Sequence, residues 1–172
     1  MLSRFAALLR IAEIDARGRQ ASFGEVALDT VLRDVAELYE PMAEHRGLSM
    51  TLHAPAPVCV NGDVDLLFGA IENLLDNALK FTPRGGAITL ETGIDTGLPT
   101  LKITDTGPGI EIGEREAVLR PFYRGGGAKS GETRGHGLGL SLVAAIARVH
   151  GARVEIHDNR PGCQVLLRFA AR

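Results

Sequence analysis

The 172-residue chain reads as α+β: a two-layer α/β sandwich, with a mixed, mostly antiparallel sheet of about five strands and about three helices on one face. Three observations predict this. Residues 64–80 and 137–150 carry apolar side chains at helical spacing. Short runs of strand character, some alternating and some continuously apolar, lie before, between and after them. Clusters of Gly, Pro, Asn and Asp separate the runs.

Taken in order, Leu2, Phe5, Leu8, Leu9, Ala12 and Ile14 give a short helix that ends near Gly18 and is too short to stand without a packing partner. Residues 22–25 read as a short strand. Asp29 or Thr30 is placed to cap a helix reaching about His45, with Val31, Leu32, Val35, Leu38 and Tyr39 on its apolar side and Pro41 as an interruption. Residues 48–53 and 58–60 read as strands. Asp63 is a natural N-cap for the helix 64–80, which closes at Thr82-Pro83-Arg84-Gly85-Gly86. Residues 87–92 and 98–104 pair around a turn at 93–97. From 111 to 134 the chain is polar and Gly-rich without a period. The helix that starts near Gly137 stops at His150-Gly151. Residues 153–157 and 163–169 close the sheet around Asn159-Arg160-Pro161-Gly162.

Composition bounds the function. Hydrophobic content of 45% and charged content of 23% are ordinary for one globular domain with a real core. A formal net charge of −2 argues against a dedicated nucleic-acid binder. No run of 18 apolar residues is present, so no membrane contact is expected, and the start lacks a signal-peptide cleavage pattern. Cys59 and Cys163 lie in strand-like runs and read as buried free thiols of a reducing cytosol, with a disulfide as the alternative, so a cytoplasmic domain is expected.

Three local patterns carry chemistry. Asn73, Asn77 and Lys80 stand at i, i+4 and i+7 of the most periodic helix, so two carboxamides and an ammonium share one stripe. A carboxamide oxygen suits Mg²⁺, and an ammonium suits phosphate. The plainer alternative is an Asp76–Lys80 surface pair beside solvated Asn residues. Asp105 ends a strand just before Gly107 and Gly109, which let the backbone turn tightly against a ligand. Its carboxylate can accept from an exocyclic amine; the alternative is an ordinary turn. Gly135, Gly137 and Gly139 open a helix, where bare amides and the helix dipole attract phosphate. The alternative is a glycine hinge.

In this order, Asn73-Leu74-Leu75-Asp76-Asn77-Ala78-Leu79-Lys80-Phe81-Thr82, Asp105-Thr106-Gly107-Pro108-Gly109 and Gly135-His136-Gly137-Leu138-Gly139-Leu140 resemble the N, G1 and G2 boxes of the histidine-kinase ATP-binding domain, a member of the Bergerat-fold ATPases. The likeness runs from about Phe23 to Phe169. It implies ATP and Mg²⁺ as cofactors, with Asn77 as the metal ligand and Lys80 on phosphate. It assigns Asp105 to the adenine amine. Asn73, Gly107, Gly109, Gly135, Gly137, Leu138 and Gly139 complete the nucleotide site. Pro121-Phe122-Tyr123-Arg124 resembles the F box, in which Phe122 anchors a lid over 124–134 and Arg124 either reaches the γ-phosphate or stays solvated. Asn73, Lys80 and Arg124 are the expected catalytic set. ATP-hydrolysing relatives carry a Glu base at the position of Asn73; an amide there points to phosphoryl transfer, and Glu72 lies about 100° around the helix.

The resemblance also implies partners. Residues 1–20 look like a remnant of the dimerisation and phosphotransfer hairpin, with the ATP-binding domain over 21–172. None of the five histidines (45, 53, 136, 150, 157) stands in an acceptor context. The acceptor histidine is therefore expected on a dimerisation domain outside this sequence, with a response regulator beyond it. The chain reads as a fragment of a longer sensor kinase, and an inner-membrane parent is compatible with this. Competing readings are a nucleotide-binding pseudokinase or regulatory module, a serine kinase of the anti-sigma type, and a topoisomerase- or chaperone-like ATPase. Asn73 argues against the last. A dinucleotide-binding reading fails because neither glycine cluster completes G-x-G-x-x-G/A.

Overall fold

The computed structural model describes residues 9–16, 23–123 and 137–171. Residues 9–16 are helical (α1). There follow β1 (Gly24–Ala27), α2 (Leu28–His45), β2 (Ser49–His53), β3 (Cys59–Gly62), α3 (Val64–Phe81), β4 (Ala87–Asp95) and β5 (Leu98–Asp105). Two 3₁₀ turns (Ile112–Glu114 and Ala117–Leu119), α4 (Gly139–Val149), β6 (Arg153–Asp158) and β7 (Cys163–Arg168) complete the chain.

The main sheet has five strands in the order β2-β4-β5-β7-β6. Only β2 and β4 run parallel; the other three pairings are antiparallel. The expected five-stranded mixed sheet is therefore present. Beside it lies a separate antiparallel ribbon of β1 and β3, which sequence reading did not set apart.

Register explains the single covered face. Leu52, Leu90, Ile103, Val165 and Ile156 form one row across all five strands. Leu90, Ile103, Val165 and Ile156 are buried, and they join α2, α3 and α4 in one core with Leu32, Leu67, Leu75 and Val143. Each such side chain contributes about 1.5–3 kcal/mol on burial. One residue along, the opposite face reads His53, Glu91, Lys102, Leu166 and Glu155. That face carries charges of both signs around the buried Leu166, and Arg168 reaches Glu155 and Asp95 at 3.0 Å each.

Local chemistry sets the element ends. The Asp63 carboxylate accepts the Leu66 N–H at 3.1 Å, the cap that the sequence predicts. α3 stops at Thr82, which precedes Pro83 and is extended at ψ 124. α2 differs from expectation. It starts at Leu28 without a side-chain cap, and Asp29 accepts the Val58 N–H at 3.1 Å instead. A tertiary partner has taken the capping side chain. Pro41 lies on the exposed side of α2, and the helix runs through it to His45. α2 and α4 both end in Schellman motifs, with Gly47 (φ +69) and Gly151 (φ +62) in the left-handed conformation. The β4–β5 turn is tighter than the sequence suggests: Thr96 and Gly97 alone form it, both at positive φ.

Candidate functional site

The site forms where α3, the N-terminus of α4 and the C-terminal end of β5 meet. Leu67, Ala70, Ile71, Leu74 and Leu75 face the core, which turns Asn73 and Asn77 to a half-buried flank of α3. Asn73 Nδ2 donates to the Gly69 carbonyl at 2.7 Å, which fixes that carboxamide on the helix. The start of α4 then comes very close. A Cβ on Gly139 would lie 3.1 Å from Asn77 Nδ2, 3.5 Å from Asn77 Oδ1 and 3.6 Å from Asn73 Oδ1. The N-terminus of α4 thus abuts both carboxamides, and a Cβ at 139 would press on Asn77.

Among the described residues no side chain caps the first amides of α4: the N-cap residue Leu138 makes no such bond. Ser141 Oγ donates back to the Leu138 carbonyl at 2.8 Å and does not cover those amides. An anion at this end would meet helix N–H groups and the positive pole of the helix. Gly137 is held by the Phe122 N–H, which donates to its carbonyl at 2.9 Å. Its φ is +67, and a Cβ there would press into the Phe122 and Tyr123 backbone. Phe122 is half-buried with φ +66. Arg124, Gly135 and the 124–134 lid lie outside the described residues.

Lys80 is half-buried one turn beyond Asn77, with Nζ 5.0 Å from the Phe81 ring centroid. The alternative Asp76–Lys80 pairing is displaced by another contact: Asp76 Oδ1 accepts the Tyr39 hydroxyl at 3.1 Å. Burial raises the Tyr39 hydroxyl well above its ordinary value, and Asp76 and Glu72 add to this. Asp76 therefore faces α2.

Asp105 closes the other end. Its Oδ1 accepts the Gly107 N–H at 2.7 Å. Burial raises its carboxyl above the ordinary value, opposed by the backbone N–H groups of Gly107 and Cys163. A Cβ on Gly107 would lie 3.0 Å from the Phe81 carbonyl, so the glycine lets β5 approach the end of α3. Gly109, at φ +78, faces the Gly162 carbonyl at 2.9 Å from its Cβ position. Thr106 Oγ1 accepts the Ala87 N–H at 2.9 Å and ties the turn to β4. The structure thus gathers Asn73, Asn77, Gly137, Leu138 and Gly139 at one end and Asp105, Gly107 and Gly109 at the other.

Two contributors were not foreseen. Asn159 Nδ2 donates to the Asp105 carbonyl at 2.9 Å, although its sequence context shows only a turn. His150 accepts the Asp63 N–H at 3.0 Å and so ties α4 to the start of α3. The His150-Gly151 stop was visible in the sequence; this long-range bond was not.

A one-sided α+β sandwich, with an amide-bearing helix facing a glycine-opened helix N-terminus, defines the chain as a nucleotide-site domain of Bergerat type. Residues 62–172 match the family described as histidine kinase-, DNA gyrase B-, and HSP90-like ATPase, and the chain belongs to that family. Sensor protein IrlS of Burkholderia pseudomallei is 38% identical over 127 residues, which cover 74% of this chain and 27% of the relative. Sensor protein CreC of Escherichia coli is 37% identical over 164 residues, which cover 90% of this chain and 32% of the relative. The chain thus spans about a third or less of those two proteins. Among solved structures, the mycobacterial sensor histidine kinase MprB superposes with a TM-score of 0.72 at 29% identity, over 86% of this chain and 96% of that one. Full-length ShkA in complex with AMPPNP gives 0.78 at 28% identity, over 99% of this chain and 36% of that one.

No helix among the described residues is long and apolar enough to cross a membrane.

Proposed function

We propose that this chain is the catalytic part of a sensor histidine kinase. It binds Mg·ATP between α3 and the N-terminus of α4. The γ-phosphoryl passes to an imidazole nitrogen of a histidine on a separate dimerisation helix, and ADP is left behind. The observation that carries this is the approach of Gly139 to Asn73 and Asn77, which brings the first amides of α4 and carboxamide oxygens close together. The relatives named as sensor proteins and sensor histidine kinases support the same reading.

The chain's own residues share the work of positioning and charge neutralisation that phosphoryl transfer requires. Asp105 accepts the adenine amino group. The α4 amides at Leu138 and Gly139, with Gly137, hold phosphate oxygens. Lys80 and Arg124 add positive charge along the triphosphate. Asn73 stands where a hydrolase needs a base, and its amide cannot take a proton from water, which protects ATP from hydrolysis.

The donor set fits Mg²⁺ that arrives with nucleotide. Among the described residues no group of three or more His, Cys, Asp or Glu side chains could cage a metal by itself. Asn77 offers one hard oxygen, and Mg²⁺ keeps most of its shell as water and phosphate oxygen. Bound there, it would neutralise phosphate charge.

The acceptor lies in trans or elsewhere in the parent. His150 is buried, with both ring nitrogens in hydrogen bonds. Residues 1–20 belong to the phosphotransfer hairpin in this reading, and 21–172 to the ATP-binding domain. Ile14 is buried in the common core and Asp15 pairs with Arg148 of α4 at 2.8 Å, so α1 docks on the domain that it serves. A response regulator is the onward partner.

Calorimetric titration with ADP and a non-hydrolysable ATP analogue, with and without Mg²⁺, tests the site. Mg²⁺-dependent binding that is lost in Asn77→Ala is the expected result. No binding by the folded chain would overturn the proposal.

A further inference from the structure

We infer that Asn159, in the turn between β6 and β7, is a positioning residue for Asp105 and thereby sets the preference for adenine; this rests on Asp105 as the base-reading carboxylate. The β5–β7 ladder has its last rung at Thr104 and Gln164. The carbonyl of Asp105 lies one residue beyond it. Asn159 Nδ2 meets that carbonyl at 2.9 Å and also donates to the Pro161 carbonyl at 3.3 Å. The Asn159 N–H donates to the Gly162 carbonyl at 3.1 Å, which holds the turn closed. A side chain from a turn thus supplies the rung that the strand backbone lacks.

The turn also presses directly on Asp105. A Cβ on Gly162 would collide with the Asp105 carbonyl and reach the Thr106 Cα at 2.8 Å. Gly162 is buried with φ +116, and its carbonyl faces Gly109. Asp105 is therefore gripped from outside by Asn159 and Gly162, and from inside by the Gly107 N–H on its carboxylate. A carboxylate that tells an amine from a carbonyl must be held to a few tenths of an ångström, because hydrogen-bond strength falls steeply with distance and angle. Asn159 holds the backbone from which that carboxylate projects. It is exposed, so replacing it removes no core contact.

The test compares ADP with inosine diphosphate, which carries a carbonyl in place of the 6-amino group. Both are titrated calorimetrically, with Mg²⁺, into the full chain and into Asn159→Ala, Asn159→Asp and Asp105→Asn. Asn159→Asp keeps the shape and loses the donor. Positioning predicts that both Asn159 variants lose roughly three- to tenfold in ADP affinity, the scale of about one hydrogen bond. Inosine diphosphate affinity stays unchanged, so the ratio narrows. A merely structural role would lower both ligands alike. Parallel losses, or an unchanged ratio in the Asn159 variants while Asp105→Asn narrows it, would overturn the role of Asn159 and leave Asp105 as the base reader. An unchanged ratio in Asp105→Asn would remove the base-reading assignment and this inference with it.

Discussion

The Asp63 N–H donates to Nε2 of His150 at 3.0 Å, across 87 residues of sequence. His150 Nδ1 donates to the Ile146 carbonyl at 2.7 Å. The ring is therefore the neutral Nδ1–H tautomer, stacked on Phe23 at 4.9 Å between centroids. One imidazole joins the C-terminus of α4 to the N-cap of α3, the two helices whose other parts line the proposed nucleotide site.

This contact makes stability depend on pH. Burial lowers the His150 imidazole below its ordinary value, and the Ile146 carbonyl and Asp63 carboxylate only partly oppose that. A depressed folded-state value means that the unfolded chain takes up the proton first. The contribution is therefore complete above about pH 6.5 and lost as pH falls through the folded value. Urea midpoints should drop between pH 7 and pH 5. His150→Ala should cost roughly 2–4 kcal/mol at pH 7.5 and flatten this part of the pH profile.

In the proposed function, Asp105 trades stability for recognition. Its raised carboxyl means that ionisation is disfavoured by the fold, so the charge costs stability at neutral pH and the cost is relieved as pH falls. Asp105→Asn should leave the melting temperature equal or higher at pH 7.5. ADP affinity should fall about tenfold or more, the scale of a hydrogen bond to a charged group. Differential scanning and titration calorimetry on one preparation check both.

Glycines with positive φ should separate by their surroundings. Gly97, at φ +80, has open space where a Cβ would go, so Gly97→Ala should cost only backbone strain, about 1 kcal/mol. Gly162→Ala adds a collision with the Asp105 carbonyl and should cost about 3 kcal/mol or more. Denaturant titration of the two variants gives the comparison.

The two thiols should differ in reactivity. Both are free, with Cys163 buried and Cys59 half-buried. Burial pushes the Cys163 thiol up to about 12, and Asp105 adds to it. At pH 8 a disulfide reagent should titrate Cys59 in the native chain and Cys163 only after unfolding, because the thiolate is the reacting form. Rapid release of two equivalents from the native chain would contradict the burial.

Much of this was legible in the chain. The α3 pattern from Val64, its Asp63 cap, the Gly151 stop of α4 and the flanking strands follow from periodicity and turn chemistry, which act over a few residues. The order of the Asn, Asp and glycine patterns indicated the nucleotide site for the same reason: each is a local arrangement, and a helix repeat puts Asn73 and Asn77 on one flank without tertiary help. Legibility failed where a side chain found a distant partner. Asp29 left its expected capping role for Val58, and Asp76 accepts a hydrogen bond from Tyr39, 37 residues away.

By itself, then, the sequence determined most of the elements, the fold class and the residue types of the proposed site. Only the tertiary structure decided that Gly139 stands against Asn77, that Asn159 completes the rung at Asp105, and that His150 joins two helices. The physical reason is range. Propensity and periodicity are fixed by neighbours in the chain, whereas these contacts pair groups 54 to 87 residues apart, by subtraction of their residue numbers. Their geometry exists only once one sheet register and one core packing have been selected.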